Sequence, residues 1–183
     1  MKTLLLLSHT HFDGSKVNRA LFDAVKGLPD VTARHLEEIY GFDIRSFDIA
    51  TEHALIESAD RIIMQFPIFW FSMPALLKAY IDEVFTHGWA YGSDGNALVG
   101  KELQVVVTTG SDISAYSKQG SNKYSVDEFL LSLRGTAGYC GMTFNKIFVV
   151  DGVLGISDER LNAFCLKYKK LVLNELNEDD EEA

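Results

Sequence analysis

The chain has 183 residues, 47% hydrophobic and 23% charged, which fits one globular domain with a core large enough for a three-layer fold. The net charge of −9 comes from 17 basic and 26 acidic residues, and no basic patch with interleaved aromatics marks a nucleic-acid partner. No stretch approaches the ~20 apolar residues of a membrane-spanning helix.

The first run, Lys2 to Ser8, is continuously apolar and predicts a buried strand. Its core, Leu4 to Leu7, is short for a leader and is followed by His9, His11 and Asp13, so cytoplasmic location is the expectation. A turn-like stretch over His9 to Gly14 leads into a helix with Val17, Leu21, Ala24 and Val25 on one face. Val31 to Leu36 predicts a second strand, Tyr40 to Ile49 an irregular segment, and Thr51 to Ala59 a short helix. Arg61 to Phe66 predicts a third strand, stopped by Pro67. Ser72-Met73-Pro74 opens a helix running to about Thr86, because proline suits the first helical turn. Gly88, Gly92, Gly95 and Gly100 mark a loop, and the Val-rich Leu103 to Thr109 a fourth strand. A polar loop over Gly110 to Tyr124 precedes a capping box, Ser125 with Glu128, which starts a helix ending near Gly141. Lys146 to Val150 predicts a fifth strand. Ser157 caps a last helix that buries Leu161, Phe164, Cys165, Tyr168, Leu171 and Val172.

Five apolar strands alternating with helices predict an α/β fold, a doubly wound parallel sheet covered on both faces. For five strands the flavodoxin-like order 2-1-3-4-5 is the natural choice. One domain over 1–176 is expected, followed at 177–183 by an acidic, solvated, disordered tail. The acids Glu175, Glu178, Asp179, Asp180, Glu181 and Glu182 carry most of the net charge; without them 17 basic residues face 20 acidic ones. Cys140 and Cys165 form no C-x-x-C pair and read as buried structural thiols.

In such sheets ligands bind beyond the carboxyl ends of the strands, so the loops after the first, third and fourth strands carry the functional reading. The first runs from Ser8 to Asn18 into a helix N-terminus, where backbone N–H groups and the helix dipole favour a phosphate. Ser15, Asn18 and His9 can add donors. The loop lacks both the Walker ending and G-x-G-x-x-G, and a plain capped polar turn is the other reading. His9 and His11, two residues apart with no acidic partner, do not predict a metal site. The second loop, Pro67 to Pro74, carries Phe69, Trp70 and Phe71 in succession. Three aromatics there predict packing against a flat cofactor ring, a partner chain or the core. The third, Thr108 to Tyr116, combines hydroxyls with Gly110 at a strand end, as a site for a polar ring edge or a capped surface loop would.

Together these segments resemble the NAD(P)H quinone reductase family of flavodoxin-like flavoproteins, and among them the small members related to potassium-efflux ancillary oxidoreductases and general stress flavoproteins. The resemblance is most specific from Gln65 to Gly92: Gln65-Phe66-Pro67, Trp70-Phe71-Ser72-Met73-Pro74, Leu76-Leu77-Lys78, Asp82-Glu83-Val84-Phe85 and His87-Gly88-Trp89-Ala90-Tyr91-Gly92. It implies a bound flavin, a homodimer and two-electron ping-pong transfer from NAD(P)H to a quinone-type acceptor. By resemblance, His9, Ser15, Val17 and Asn18 hold the phosphate end. Pro67, Ile68, Phe69, Trp70 and Phe71 line the ring, with Trp70 and Phe71 walling the substrate pocket. Thr108, Thr109, Gly110, Ser111 and Tyr116 reach the ring's polar edge. Tyr116 and Asn122 are the expected catalytic residues. Three departures stand out: Thr10 where the family often has proline, Ser111 where a second glycine is common, and Asn122 where mammalian members carry histidine. FMN is the expected cofactor, because the chain is short and shows no adenosine-binding extension; FAD is the alternative.

Three other classes are open to the sequence. The resemblance also implies a regulatory ancillary subunit docked on a potassium-efflux antiporter. A one-electron carrier fits the fold, but the aromatic loop builds a substrate pocket instead. A phospho-receiver needs an acidic pair and an aspartate where this chain has His9 and Pro67.

Overall fold

The computed structural model describes residues 1–176; the tail expected at 177–183 lies outside the described residues. Six parallel strand segments form one sheet: β1 (Thr3–Leu7), β2 (Val31–His35), β3 (Arg61–Pro67), β4 (Glu102–Thr108), β5 (Thr143–Phe144) and β6 (Phe148–Val150). The order is β2-β1-β3-β4-β5, with β6 also paired to β4. This is the flavodoxin-like order, with a fifth strand made of two pieces. Leu103 pairs with Phe144 and Val106 with Phe148, so four residue steps on one side face three on the other. The extra residue is a bulge. Across the gap the Gln104 side-chain amide donates to the Lys146 carbonyl at 2.8 Å, replacing a ladder bond. Lys146, expected within a strand, therefore lies in the break.

The central strands are buried along nearly their whole length because both faces of the sheet are covered, and successive side chains enter opposite cores. Leu4, Leu6, Ile62, Met64, Phe66, Val105 and Val107 face one core. That core is closed by α2 (Leu36–Tyr40), α3 (Ile49–Ser58), α4 (Ala75–Val84), α5 (Val126–Phe129) and α6 (Leu131–Tyr139). Leu5, Ile63, Val106 and Val150 face the other, under α1 (Lys16–Val25) and α7 (Asp158–Leu173). Among the described residues no helix is long and apolar enough to cross a membrane.

The local chemistry sets the helix starts. Ser15, Asp48, Ser125 and Ser157 each accept a first-turn amide, and Ser125 with Glu128 forms the full capping box. The helix begun there does not run unbroken to Gly141. It turns at Leu130, whose N–H is shared between the Val126 and Asp127 carbonyls. Phe129, Leu130 and Leu131 cannot all face one core from a single helix. Leu130 is buried and Leu131 exposed, while Phe129 joins an aromatic cluster.

The segment expected to be irregular, Tyr40 to Ile49, holds only a three-residue helical turn, Ile44–Ser46, between the end of α2 and the start of α3. Tyr40 ends α2 and hydrogen-bonds the fully buried Glu52 carboxylate, which is also paired with Arg34 and accepts the Tyr80 hydroxyl at 2.7 Å. This network ties β2, α2, α3 and α4 together. Of the two cysteines expected to be buried, Cys140 is, whereas Cys165 is partly exposed; burial raises both thiol pKa values.

Candidate functional site

The sheet order places the carboxyl ends of β1, β3 and β4 side by side, with Leu7 opposite Gln65 and Pro67 opposite Thr108. The three loops singled out in the sequence therefore leave the same edge of the molecule.

In the first loop, His9 is 8% exposed. Its Nδ1 accepts the His11 N–H at 3.1 Å, so in the neutral ring the proton sits on Nε2 and that nitrogen is a donor. Desolvation, with the charges of His11 and His35, holds the His9 pKa below the ordinary value despite an opposing backbone hydrogen bond. Ser15 caps α1, and its Oγ accepts the Asn18 N–H at 3.3 Å. The amides of Lys16 and Val17 belong to the first turn, where helix geometry provides no internal acceptor. The Val17 side chain is buried.

Asn18 is also buried and is braced by its neighbours. Its side-chain amide donates to Thr108 Oγ1 at 2.9 Å, and Gln65 Nε2 donates to its carbonyl at 2.9 Å. The Tyr168 hydroxyl donates to Gln65 Oε1 at 3.3 Å. A buried chain thus runs from α7 through β3 to the start of α1 and the end of β4. It fixes the first loop against the third.

In the second loop, the Ile68 N–H continues the ladder to the Thr108 carbonyl at 2.9 Å. Phe69 and Ser72 then exchange two backbone hydrogen bonds, both 3.0 Å, around a two-residue turn. Trp70 and Phe71 occupy its centre with φ of 46° and 63°. Positive φ at both centre positions is the I′ pattern, which asparagine and glycine favour and large aromatics resist. Trp70 is 94% exposed. Phe69 stands edge-on to the His9 ring at 5.7 Å, and Phe71 stacks on Phe129 at 4.7 Å with 26° between the planes.

In the third loop, Thr108 and Thr109 are buried; the Thr109 N–H makes the last bond along β4, to the Val150 carbonyl at 3.0 Å. The Thr109 hydroxyl turns back onto the Ser111 carbonyl at 2.9 Å, so Gly110 sits at the apex of a tight bend. Asp151, just past β6, accepts the Ile113 N–H at 2.8 Å and the Arg160 guanidinium at 2.6 Å, anchoring the loop to α7. Tyr116 is partly buried and meets Phe129 edge-on at 6.3 Å. The Asn122 N–H returns to the Ala115 carbonyl at 3.0 Å. A Cβ on Gly120 would lie 2.4 Å from that same oxygen, so only glycine lets the chain double back here.

The geometry thus brings His9, Phe69, Phe71, Thr108 and Tyr116 onto one edge. It gives Asn18 a bracing position and leaves the Trp70 ring in solvent. Sequence reasoning missed Asp151, Arg160, Tyr124 and Phe129. An acid at the end of the last strand is a readable signal for Asp151, whereas Phe129 in a capped helix reads as ordinary core. Grooves of about 530 and 770 Å³ lie along α7. The first is lined by Arg61, whose guanidinium is already committed to Thr3, Leu171, Val172 and Asn174, so it reads as structural.

Residues 1–172 match the model of a family described as having the flavodoxin-like fold. An uncharacterised NAD(P)H oxidoreductase of Bacillus subtilis, YdeQ, is 38% identical over 97% of this chain and 89% of its own. The glutathione-regulated potassium-efflux system ancillary protein KefF of an Enterobacter species is 40% identical over 93% of this chain and 95% of its own. General stress protein 14 of Treponema denticola, solved in complex with FMN, superposes with a TM-score of 0.88 at 34% identity, covering 96% of this chain and all of that one. The strand order, the three loops on one edge and these matches agree: the chain belongs to the flavodoxin-like fold family.

Proposed function

We propose that the protein binds FMN across the carboxyl ends of β1, β3 and β4 and uses it to carry two electrons from NAD(P)H to a quinone-type acceptor. The observation that carries this reading is the convergence of a serine-capped helix N-terminus, an aromatic turn and a hydroxyl-rich loop on one sheet edge. The residues present fit the group. First-turn amides at Lys16 and Val17, with Ser15 and the His9 Nε2 donor, suit a phosphate. The bent Thr109-Gly110-Ser111 backbone suits a polar ring edge. Phe69 and Phe71 supply apolar faces.

When bound, the flavin supplies the acceptance and donation of hydride. The protein's own part is positional and electrostatic. With the flavin bound, the Tyr116 hydroxyl and the amides of the Gly110 region would be the donors available to stabilise negative charge at the ring edge. Asn122, brought back onto Ala115, sits in the same loop as Tyr116 and is assigned to acceptor orientation. The aromatic turn walls the slot that NAD(P)H and the acceptor enter in turn. Exposed Tyr124 and Tyr139 supply apolar surface for a second copy of the chain, and a cytoplasmic homodimer is the proposed state.

Initial rates of NAD(P)H oxidation, measured against varied quinone, test this reading. Parallel double-reciprocal lines are expected. A flavin-loaded protein that oxidises NAD(P)H at the same rate with and without quinone overturns it. The 40% identity to KefF favours a second reading, an ancillary role on a potassium-efflux antiporter. Co-purification with an antiporter supports that role, and unaltered efflux in its absence removes it.

A further inference from the structure

Phe129 ends α5 and belongs to none of the three strand-end loops, yet it is where two of them meet. Phe71 stacks on its ring at 4.7 Å and 26°, Tyr116 approaches edge-on at 6.3 Å and 90°, and Tyr124 at 5.7 Å and 63°. These separations and tilts are the attractive geometries of aromatic pairs. Phe129 itself has little freedom. The capping box fixes the start of α5, and the flanking Val126 and Leu130 are buried.

Phe71 needs such an anchor. It is 43% exposed and has φ of 63°, a conformation that a phenylalanine does not hold by its own preference. Strained backbone persists where the surroundings over-determine it, and such sites cluster where function requires them. Here the surroundings are the paired Phe69 and Ser72 backbones on one side and the Phe129 ring on the other.

We infer that Phe129 is a positioning residue for the acceptor slot: by holding the Phe71 ring and Tyr116 at a fixed separation, it favours flat fused-ring acceptors over single-ring ones. The inference rests on the acceptor-reducing function proposed above. A fused-ring acceptor needs an ordered aromatic wall along its whole length. A single ring touches less of that wall and tolerates its loosening. Phe129 does this through Phe71 and Tyr116, without touching acceptor or cofactor itself.

The test is Phe129→Leu, with FMN affinity read by quenching of flavin fluorescence and kcat and KM measured for a benzoquinone and a naphthoquinone. FMN affinity should stay within about twofold. The naphthoquinone to benzoquinone ratio of kcat/KM should fall roughly fivefold or more, the loss appearing in the naphthoquinone KM, since one aromatic contact is worth about that factor. Phe129→Tyr, which keeps the ring, should restore the ratio. Phe71→Leu removes the other half of the stack and should lower the ratio by the same factor. The double variant should add little, because the two residues act as one unit. That pair keeps the inference testable if Phe129→Leu fails to fold. An unchanged ratio in a variant that holds FMN overturns the inference, as does loss of FMN affinity, which would place Phe129 in the cofactor site. If the wild-type protein, loaded with FMN, reduces neither quinone, the proposed function fails instead and takes this inference with it.

Discussion

Replacing Trp70 with asparagine should make the protein more stable while making it a poorer catalyst. Trp70 holds φ of 46° at the centre of the Phe69–Ser72 turn and is 94% exposed. The left-handed conformation costs a large residue about 1–2 kcal/mol, and asparagine tolerates it through its short polar side chain. Because the indole touches almost nothing, the substitution gives up little packing to offset that gain. The net expectation is about 1 kcal/mol of added stability, or about 2–4 °C in the thermal midpoint of a chain this size. Phe71→Gly provides the contrast. It relieves φ of 63° but also forfeits the stack on Phe129, worth about 0.5–1.5 kcal/mol beyond burial, and should leave the midpoint level or lower. Far-UV circular dichroism melts of the cofactor-free proteins, with urea midpoints as a check, measure both. Quinone turnover of Trp70→Asn should fall, because the pocket wall loses its largest ring. A midpoint that drops or does not move for Trp70→Asn would refute the strain argument.

The other predictions concern charge. Arg34→Met leaves the buried Glu52 carboxylate without its cationic partner and should destabilise the fold by about 3–5 kcal/mol, read from urea unfolding. His9 has a lowered pKa, so below its ordinary value of about 6.5 the unfolded chain binds the proton more readily than the folded one. Its contribution to stability is therefore intact above that value and declines as pH falls through it. His9→Gln should show a shallower loss between neutral and mildly acidic pH in parallel melts of the cofactor-free proteins; equal slopes would count against it. Tyr116→Phe, with FMN still bound, should lower turnover by about tenfold or more through loss of a donor to developing charge. An undiminished rate removes Tyr116 from the mechanism.

The parts of this molecule legible in the sequence are those governed by local rules. Near-continuous apolar runs, buried on both faces under two helical layers, made Leu4–Leu7, Ile62–Phe66 and Leu103–Val107 readable as central strands, and Ser15, Ser125 and Ser157 announced their helices. The loops that leave the sheet's carboxyl edge could be singled out because fold class alone dictates where that edge is. What stayed hidden depends on contacts between distant segments. The bulge between β5 and β6 exists because Gln104 can satisfy the Lys146 carbonyl from the neighbouring strand. A Trp-Phe pair carries none of the asparagine-glycine signature of a I′ turn, so the Phe69–Ser72 geometry appears only with its support from Phe129. Asn18 looked like a ligand donor by type. The positions of Gln65 and Thr108 add what residue type could not show, that one side-chain N–H and the backbone carbonyl of Asn18 also brace the site.

In the proposed site three strand ends form one cradle, with the phosphate at the start of α1. Titration of the cofactor-free protein with FMN and with riboflavin, followed by visible absorption and flavin fluorescence, addresses that directly. One FMN per chain is expected, bound about tenfold or more tightly than riboflavin, because charged hydrogen bonds from the Ser15-capped turn act only on the phosphate. Equal affinity for the two flavins, or binding of neither, would contradict it.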